Sequence, residues 1–270
     1  MNSFLCGVLH ALAVAYLVVS VTGCPNTDDP TTPPAPNETG TMRLKIDNVF
    51  GARDLAIGTR FVTAGSETIT VETLKYFISN IRLHKADGSS FIYPQAASYF
   101  LVDEANPASQ GLRLDGVPSG DYSAVTFMMG VDSLRSTMDV AQRTGALDIG
   151  GAAAGMYWTW NSGYIHFKME GTVEPADPNP MVPFKLHIGG FGGLNNPTVN
   201  NIRSVTLSLP ENARVRANAT PEVHILADVA KMFAIDPVLS LRSKPVIMLA
   251  PESIDISRRY ASMFSVDHVH

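Results

Sequence analysis

The chain has 270 residues, 45% of them hydrophobic and 17% charged, with a formal net charge of −5 and a sequence pI near 5.8. That composition is globular, and an acidic balance without a basic stripe excludes a nucleic-acid partner. Both cysteines, Cys6 and Cys24, fall near the N-terminus, so the remainder has no disulfide, thiolate metal site or cysteine nucleophile.

Residues 3–23 form an apolar run ending in Val21-Thr22-Gly23 before Cys24. The run is long enough to span a membrane. Small residues before a cysteine, followed by Pro25-Asn26, instead resemble the cleavage site of a bacterial lipoprotein signal. On that reading residues 1–23 are removed and Cys24 becomes the lipid-bearing first residue. No Lys or Arg precedes the run, whereas signal peptides normally start positively charged. An uncleaved anchor and plain secretion are the alternatives. All three place the folded part outside the cytoplasm, and the lipid anchor places it at the cell envelope, in the periplasm or at the outer membrane or cell surface. Residues 24–41 are rich in Pro, Thr and Asn and cannot bury a core, which makes them a tether.

From residue 42 to 270 the pattern is that of one β domain. Met42–Asp47 alternates apolar with charged residues, the mark of a half-buried strand. A longer β run covers Thr68–His84 and stops at Asp87-Gly88, a turn signal. Further strands are predicted at Tyr99–Asp103, Tyr122–Met129, Tyr164–Met169, Pro183–Ile188, Ile202–Leu209 and Val223–Leu226, with a turn at Val117–Asp121. Short helices are expected around Asp132–Val140, Asp228–Phe233 and Ser257–Met263. Many short strands with turn chemistry between them predict an all-β fold, an antiparallel β-sandwich of immunoglobulin-like or Greek-key type.

Common catalytic signatures are absent: no Gly-x-Ser-x-Gly elbow, no phosphate-cradling loop, no His-Glu-x-x-His. Gly189-Gly190-Phe191-Gly192-Gly193 follows no dinucleotide fingerprint and reads as a bend needing positive φ. The expectation is a protein that is not an enzyme.

Histidines carry more information. His84 beside its Asp-Gly turn reads as a solvated strand end. His224 alternates with Val223 and Ile225, pointing away from their face. His166 shares parity with the tryptophans and either borders a site or is exposed. His187 alternates with Phe184, Leu186 and Ile188 beside a flexible loop, a place that suits either a ligand or one exposed histidine. The chain ends Asp267-His268-Val269-His270. In a strand, His-x-His projects both imidazoles to one side, a spacing metals use.

Gly155-Met156-Tyr157-Trp158-Thr159-Trp160-Asn161-Ser162-Gly163-Tyr164 holds both tryptophans of the chain. At i, i+2 a strand would place both indoles on one face, as a core anchor or the wall of a site. This segment, with Phe184–Gly190 and Ala261–His270, resembles the MbnP-like copper-binding family, the periplasmic copper proteins associated with methanobactin operons. Leu74–Ile81 and Met129–Asp132 fit the same pattern, so the likeness spans most of residues 42–270.

The resemblance implies an extracytoplasmic sandwich that binds one copper ion, as Cu(I), in copper acquisition or homeostasis. It also implies that Trp158 is oxidised to kynurenine by a partner dihaem enzyme of the MauG/cytochrome c peroxidase type (MbnH-like). Carried over, the ligands are modified Trp158, His187 and His268 or His270, with His166 a possible addition and Trp160 and Tyr164 supporting. Met156, Met169 and Met263 are further candidates, although methionines in a β core mostly pack. Asp148-Ile149 stands where Asp-Pro is expected, and His166 where other members differ. Two readings compete with copper binding: an adhesion or carbohydrate-binding sandwich that stacks a sugar on Trp158 and Trp160, and a surface hydrolase.

Overall fold

The computed structural model describes residues 38–159, 163–175 and 180–270. The leader, Cys24, most of the tether and Trp160 lie outside the described residues. The first eight strands are β1 (Thr39–Phe50), β2 (Arg53–Asp54), β3 (Arg60–Val62), β4 (Thr68–Lys85), β5 (Ser90–Ile92), β6 (Tyr99–Asp103), β7 (Gly111–Pro118) and β8 (Gly120–Met129). After an excursion carrying helix α1 (Ser133–Ser136) come β9 (Tyr157–Trp158), β10 (Gly163–Val173), β11 (Val182–Gly189), β12 (Arg203–Val215) and β13 (Glu222–Asp228). Helix α2 (Lys231–Ala234), β14 (Val246–Ile247), α3 (Ser253–Ala261) and β15 (Phe264–Val269) follow.

These strands make an all-β sandwich of two sheets. The smaller has five strands, ordered β15-β13-β1-β2 with β7 also on β1, and the larger has ten, built around β4. Pairing is mostly antiparallel, but β1 runs parallel to β13 and β11 parallel to β14. The alternation read in β1 is real burial: Met42, Leu44 and Ile46 are in the core while Arg43 is exposed. β7 is a strand where a turn was expected at its end. Its Leu112, Leu114 and Val117 are buried, and the glycines at 111 and 116 disguise the alternation.

β4 organises the larger sheet. Its first half pairs with β10, up to Tyr76, and its second half with β8, from Ile78. β6 pairs with Lys75–Ser79, overlapping both. Each strand has two edges, so β10 and β8 must lie end to end along one edge of β4, with β6 along the other. A register shift between Ser79 and Arg82, with Asn80 at φ 50, marks the irregularity between the two halves.

Two apolar cores result. The main one fills the space between the sheets with Leu44, Ile46, Tyr76, Phe127, Phe167, Leu186, Ile188, Val223 and Ile225. A satellite core gathers Phe77, Tyr99, Leu101, Val131, Leu147, Met156, Trp158, Tyr164 and Ile165. Phe77 alternates against Tyr76 and Ile78 of the main core, so the satellite lies on the outward face of the larger sheet, beneath the 130–158 excursion. In α3, Ile256 and Tyr260 sit at i, i+4 and are buried. Arg259, 1% exposed, donates to the carbonyls of Met232, Ile235 and Pro237 and so ties α3 to the end of α2.

Candidate metal site

β13 follows a strict alternation, with Val223, Ile225 and Ala227 buried, so His224 turns to the outward face of the smaller sheet. β15 does not alternate strictly. Val266 pairs with Ile225 and His268 with His224, which leaves Asp267 as an extra residue, a β-bulge. Without the bulge His268 and His270 would share Val266's side, facing the core. The extra residue reverses the parity and sets both imidazoles beside His224.

The donor atoms of His224, His268 and His270 come within 4.8 Å of one another. His268 Nε2 and His270 Nε2 are 2.9 Å apart, with the ring planes at 78°. At that separation one nitrogen donates its proton to the other. His224 stacks on His268 at 4.3 Å between centroids, 19° from parallel, and meets His270 edge-on at 5.2 Å. One lone pair and one N–H thus meet between His268 and His270, and a ring nitrogen of His224 lies within 4.8 Å of the donor atoms of both.

Carboxylates flank the rings. Asp267 Oδ2 lies 2.8 Å from His268 Nδ1, and Glu222 Oε1 lies 3.0 Å from His224 Nε2. Glu222 also pins the last residue through its backbone, accepting from His270 N at 2.9 Å and donating to His270 O at 3.2 Å. Lys45 pairs with His224 across the ladder, but its ammonium is drawn to Gln110 Oε1 at 3.1 Å. Two half-buried imidazoles and one exposed, with neighbouring carboxylates and no sulfur, are a donor set suited to copper, zinc or nickel. His224, read from sequence as merely outward-facing, completes this cluster. Its parity was visible in the sequence, but its register against β15 was not.

Trp158 and His187 are elsewhere. β9 pairs Trp158 with Gly163 and Tyr157 with Tyr164. The indole, 9% exposed, belongs to the satellite core. Its six-membered ring lies against Gly189, where an added Cβ would come within 2.7 Å of Trp158 Cζ3 and 2.5 Å of the Tyr164 carbonyl. Gly189 is two residues beyond His187 on the same side of β11, about 7 Å along the strand. His187 Nε2 contacts Glu170 Oε1 at 2.7 Å. Burial holds the His187 pKa below its usual value, helped by Lys168 and Lys185 and opposed by Glu170. Burial raises Glu170, but the hydrogen bond from His187 and the charge of Lys168 outweigh it and hold the carboxylate low.

Trp158 and His187 therefore share one side of the larger sheet. They face away from the main core, and the three clustered histidines face away from it on the smaller sheet. Packed sheets lie about 10 Å apart, and metal–nitrogen bonds are about 2 Å long, so no single ion reaches both groups. The expected joint set of Trp158, His187 and a C-terminal histidine is divided between two faces.

The remaining candidates are accounted for. His166 is the extra residue of a bulge in β10, between Ile165 paired with Gly189 and Phe167 paired with Ile188. It is fully buried against Gly130, and neither ring nitrogen makes a hydrogen bond. Burial, then the charge of Arg203, drives its pKa down from 6.5 to about 3, against a smaller upward pull from the Val131 backbone. Exposure, one of its two sequence readings, is thus wrong, because the bulge breaks the parity it assumed. Tyr164 is buried, donates to the Leu147 carbonyl at 2.6 Å, and is raised by burial to about 12. Met156, Met169 and Met263 are all fully buried as packing. Burial of Trp158 also removes it as a sugar-stacking surface.

Comparison with known proteins fits this architecture. MbnP from Methylosinus trichosporium has a matching structure, with a TM-score of 0.50 and 16% identity, covering 73% of this chain and 78% of that one. At that identity the likeness concerns the fold. No curated protein matches the chain. The MbnP family model matches residues 39–249, a span that includes Trp158, His187 and His224 and ends before His268 and His270. A match over more than half of the sequence is decisive, and the chain belongs to the MbnP family.

Proposed function

We propose that this is an extracytoplasmic copper-binding protein of copper acquisition or homeostasis, anchored through a lipid on Cys24. The convergence of His224, His268 and His270 on one outward-facing spot carries the reading. Imidazole nitrogens suit copper in either oxidation state, and three of them leave a coordination position for exchange. Copper is cargo here, and the chain performs no catalysis.

Trp158 has a separate role in this proposal. A dihaem partner of the MauG/cytochrome c peroxidase type supplies the oxidant that cleaves the indole C2–C3 bond. Hydrolytic loss of C2 as formate leaves the aryl amine and ketone of kynurenine. Those donors would stand beside His187, whose Nδ1 is not engaged by Glu170. The adjacency of Trp158, Gly189 and His187 favours this face as a second copper locus, formed after modification.

Copper(I) titration against a chromogenic chelator tests the assignment on protein made with and without the haem partner. The first locus predicts that His224→Gln and His268→Gln lower affinity in both preparations, and the second that Trp158→Phe lowers the copper bound only in protein made with the haem partner. Loss in Trp158→Phe with full binding in His268→Gln would move the ion to the other face. Peptide mass mapping reads the change at Trp158. Incorporation of a labelled fatty acid, abolished by Cys24→Ala, tests the anchor.

A further inference from the structure

We infer that Glu222 and Asp267 fix which nitrogen each clustered histidine presents to an ion: Nδ1 of His224 and Nε2 of His268. This rests on the copper reading for its purpose, but the assignment of nitrogens stands on the contacts alone. An ionised carboxylate accepts hydrogen bonds and donates none. A neutral imidazole facing one must therefore place its proton on the facing nitrogen. Asp267 Oδ2 faces His268 Nδ1 at 2.8 Å, which makes Nδ1 the protonated atom and leaves a lone pair on Nε2. Glu222 Oε1 faces His224 Nε2 at 3.0 Å, which leaves the lone pair on Nδ1.

A second contact is compatible with that tautomer of His268. His270 Nε2 approaches His268 Nε2 at 2.9 Å. With His268 protonated on Nδ1, its Nε2 accepts and His270 donates. One ring is thus presented through each kind of nitrogen. Nδ1 sits next to Cβ and Nε2 on the far side of the ring, so the two modes set the ion at different distances from the backbone. The two carboxylates come from different places in the pattern. Glu222 shares His224's side of β13 at i, i+2, whereas Asp267 is the bulge residue itself. One residue therefore both turns His268 outward and orients its ring. Carboxylates in this arrangement hold the tautomer and raise the basicity of a ligating histidine. Glu222 and Asp267 are positioning residues and need not touch the ion.

Long-range nitrogen–proton NMR on the full-length chain, labelled with ¹⁵N-histidine, reads the tautomers directly. The expected spectrum has His268 protonated on Nδ1 and His224 on Nε2. Glu222→Gln should mix the tautomers of His224 alone, and Asp267→Asn those of His268. Each should weaken copper(I) binding about 10- to 100-fold, with partial recovery in Glu222→Asp and Asp267→Glu. Opposite tautomers in the unaltered chain, or tautomers unmoved by both substitutions, would overturn the inference. So would shifted tautomers with unchanged copper affinity. The expected tautomers in a chain that binds no copper would overturn the copper reading and leave the assignment of nitrogens standing.

Discussion

Gly189 is the residue on which the Trp158 face depends. A side chain there meets the Tyr164 carbonyl at 2.5 Å and the indole at 2.7 Å. Backbone cannot yield as a flexible side chain can, so Gly189→Ala should cost about 1–3 kcal/mol, the range for overpacking. Tryptophan fluorescence should shift with it, and urea unfolding monitored by circular dichroism measures the loss. Removing the hydroxyl that caps the Leu147 carbonyl is milder. Tyr164→Phe should cost about 1 kcal/mol, a typical net hydrogen bond, and the same titration reads it. At this scale the sequence revealed residue types and little of their surroundings. His187 looked solitary because its partner Glu170 is on another strand.

Among the elements, β15 has two separable jobs. Phe264 packs edge-to-face on Phe127 and Tyr76, whereas the side chains of His268 and His270 line the outward cluster and their backbones extend the ladder on β13. A chain ending at Asp267, made without the haem partner, should keep its far-ultraviolet circular dichroism and lose copper binding. If that truncation unfolded, the ladder from His268 onward would be holding the edge of the sheet. Deleting Asp267 makes the opposite test. It restores simple alternation while still pairing His268 with His224, so the cluster should survive with weaker affinity.

β1 was legible because its faces differ in polarity along the whole element, and β4 and β6 because they are runs of β-branched and aromatic residues bounded by turn signals. Bulges were not. Those at His166 and Asp267 insert a single residue whose placement depends on the neighbouring strand, and each reverses the facing of the histidines around it. Alternation in one strand carries no information about register against another. The cluster of His224 with His268 and His270 was hidden for that reason, although each histidine alone was noticed.

For the whole molecule, His166 sets a pH limit. The folded state refuses a proton until about pH 3, whereas an unfolded histidine takes one up near 6.5. Between those values the unfolded chain binds more protons, so stability falls as pH falls through the window and is complete above it. The slope should approach about 1.4 kcal/mol per pH unit from this group. His166→Leu should flatten that part of the curve, as midpoints of thermal unfolding between pH 4 and 7 would reveal. An unchanged slope would assign the acid sensitivity to other groups. Separation of the two faces has its own signature. Effects of Trp158→Phe and His224→Gln on stability should add within about 0.5 kcal/mol, as expected for distant sites without shared partners.

The satellite core has a kinetic meaning. Trp158 is sealed by the 130–158 excursion rather than by the two main sheets, so the seal can open while the sandwich stays closed. Such regions exchange amide hydrogens through small openings well below the global unfolding free energy. The amides of Met156 and Ile165 should then exchange sooner than those in the middle of β4, and by the same opening an indole buried on average becomes reachable on demand. Reactivity at Trp158 would follow how often this cover lifts, which makes the excursion a timing element for whatever acts on the ring.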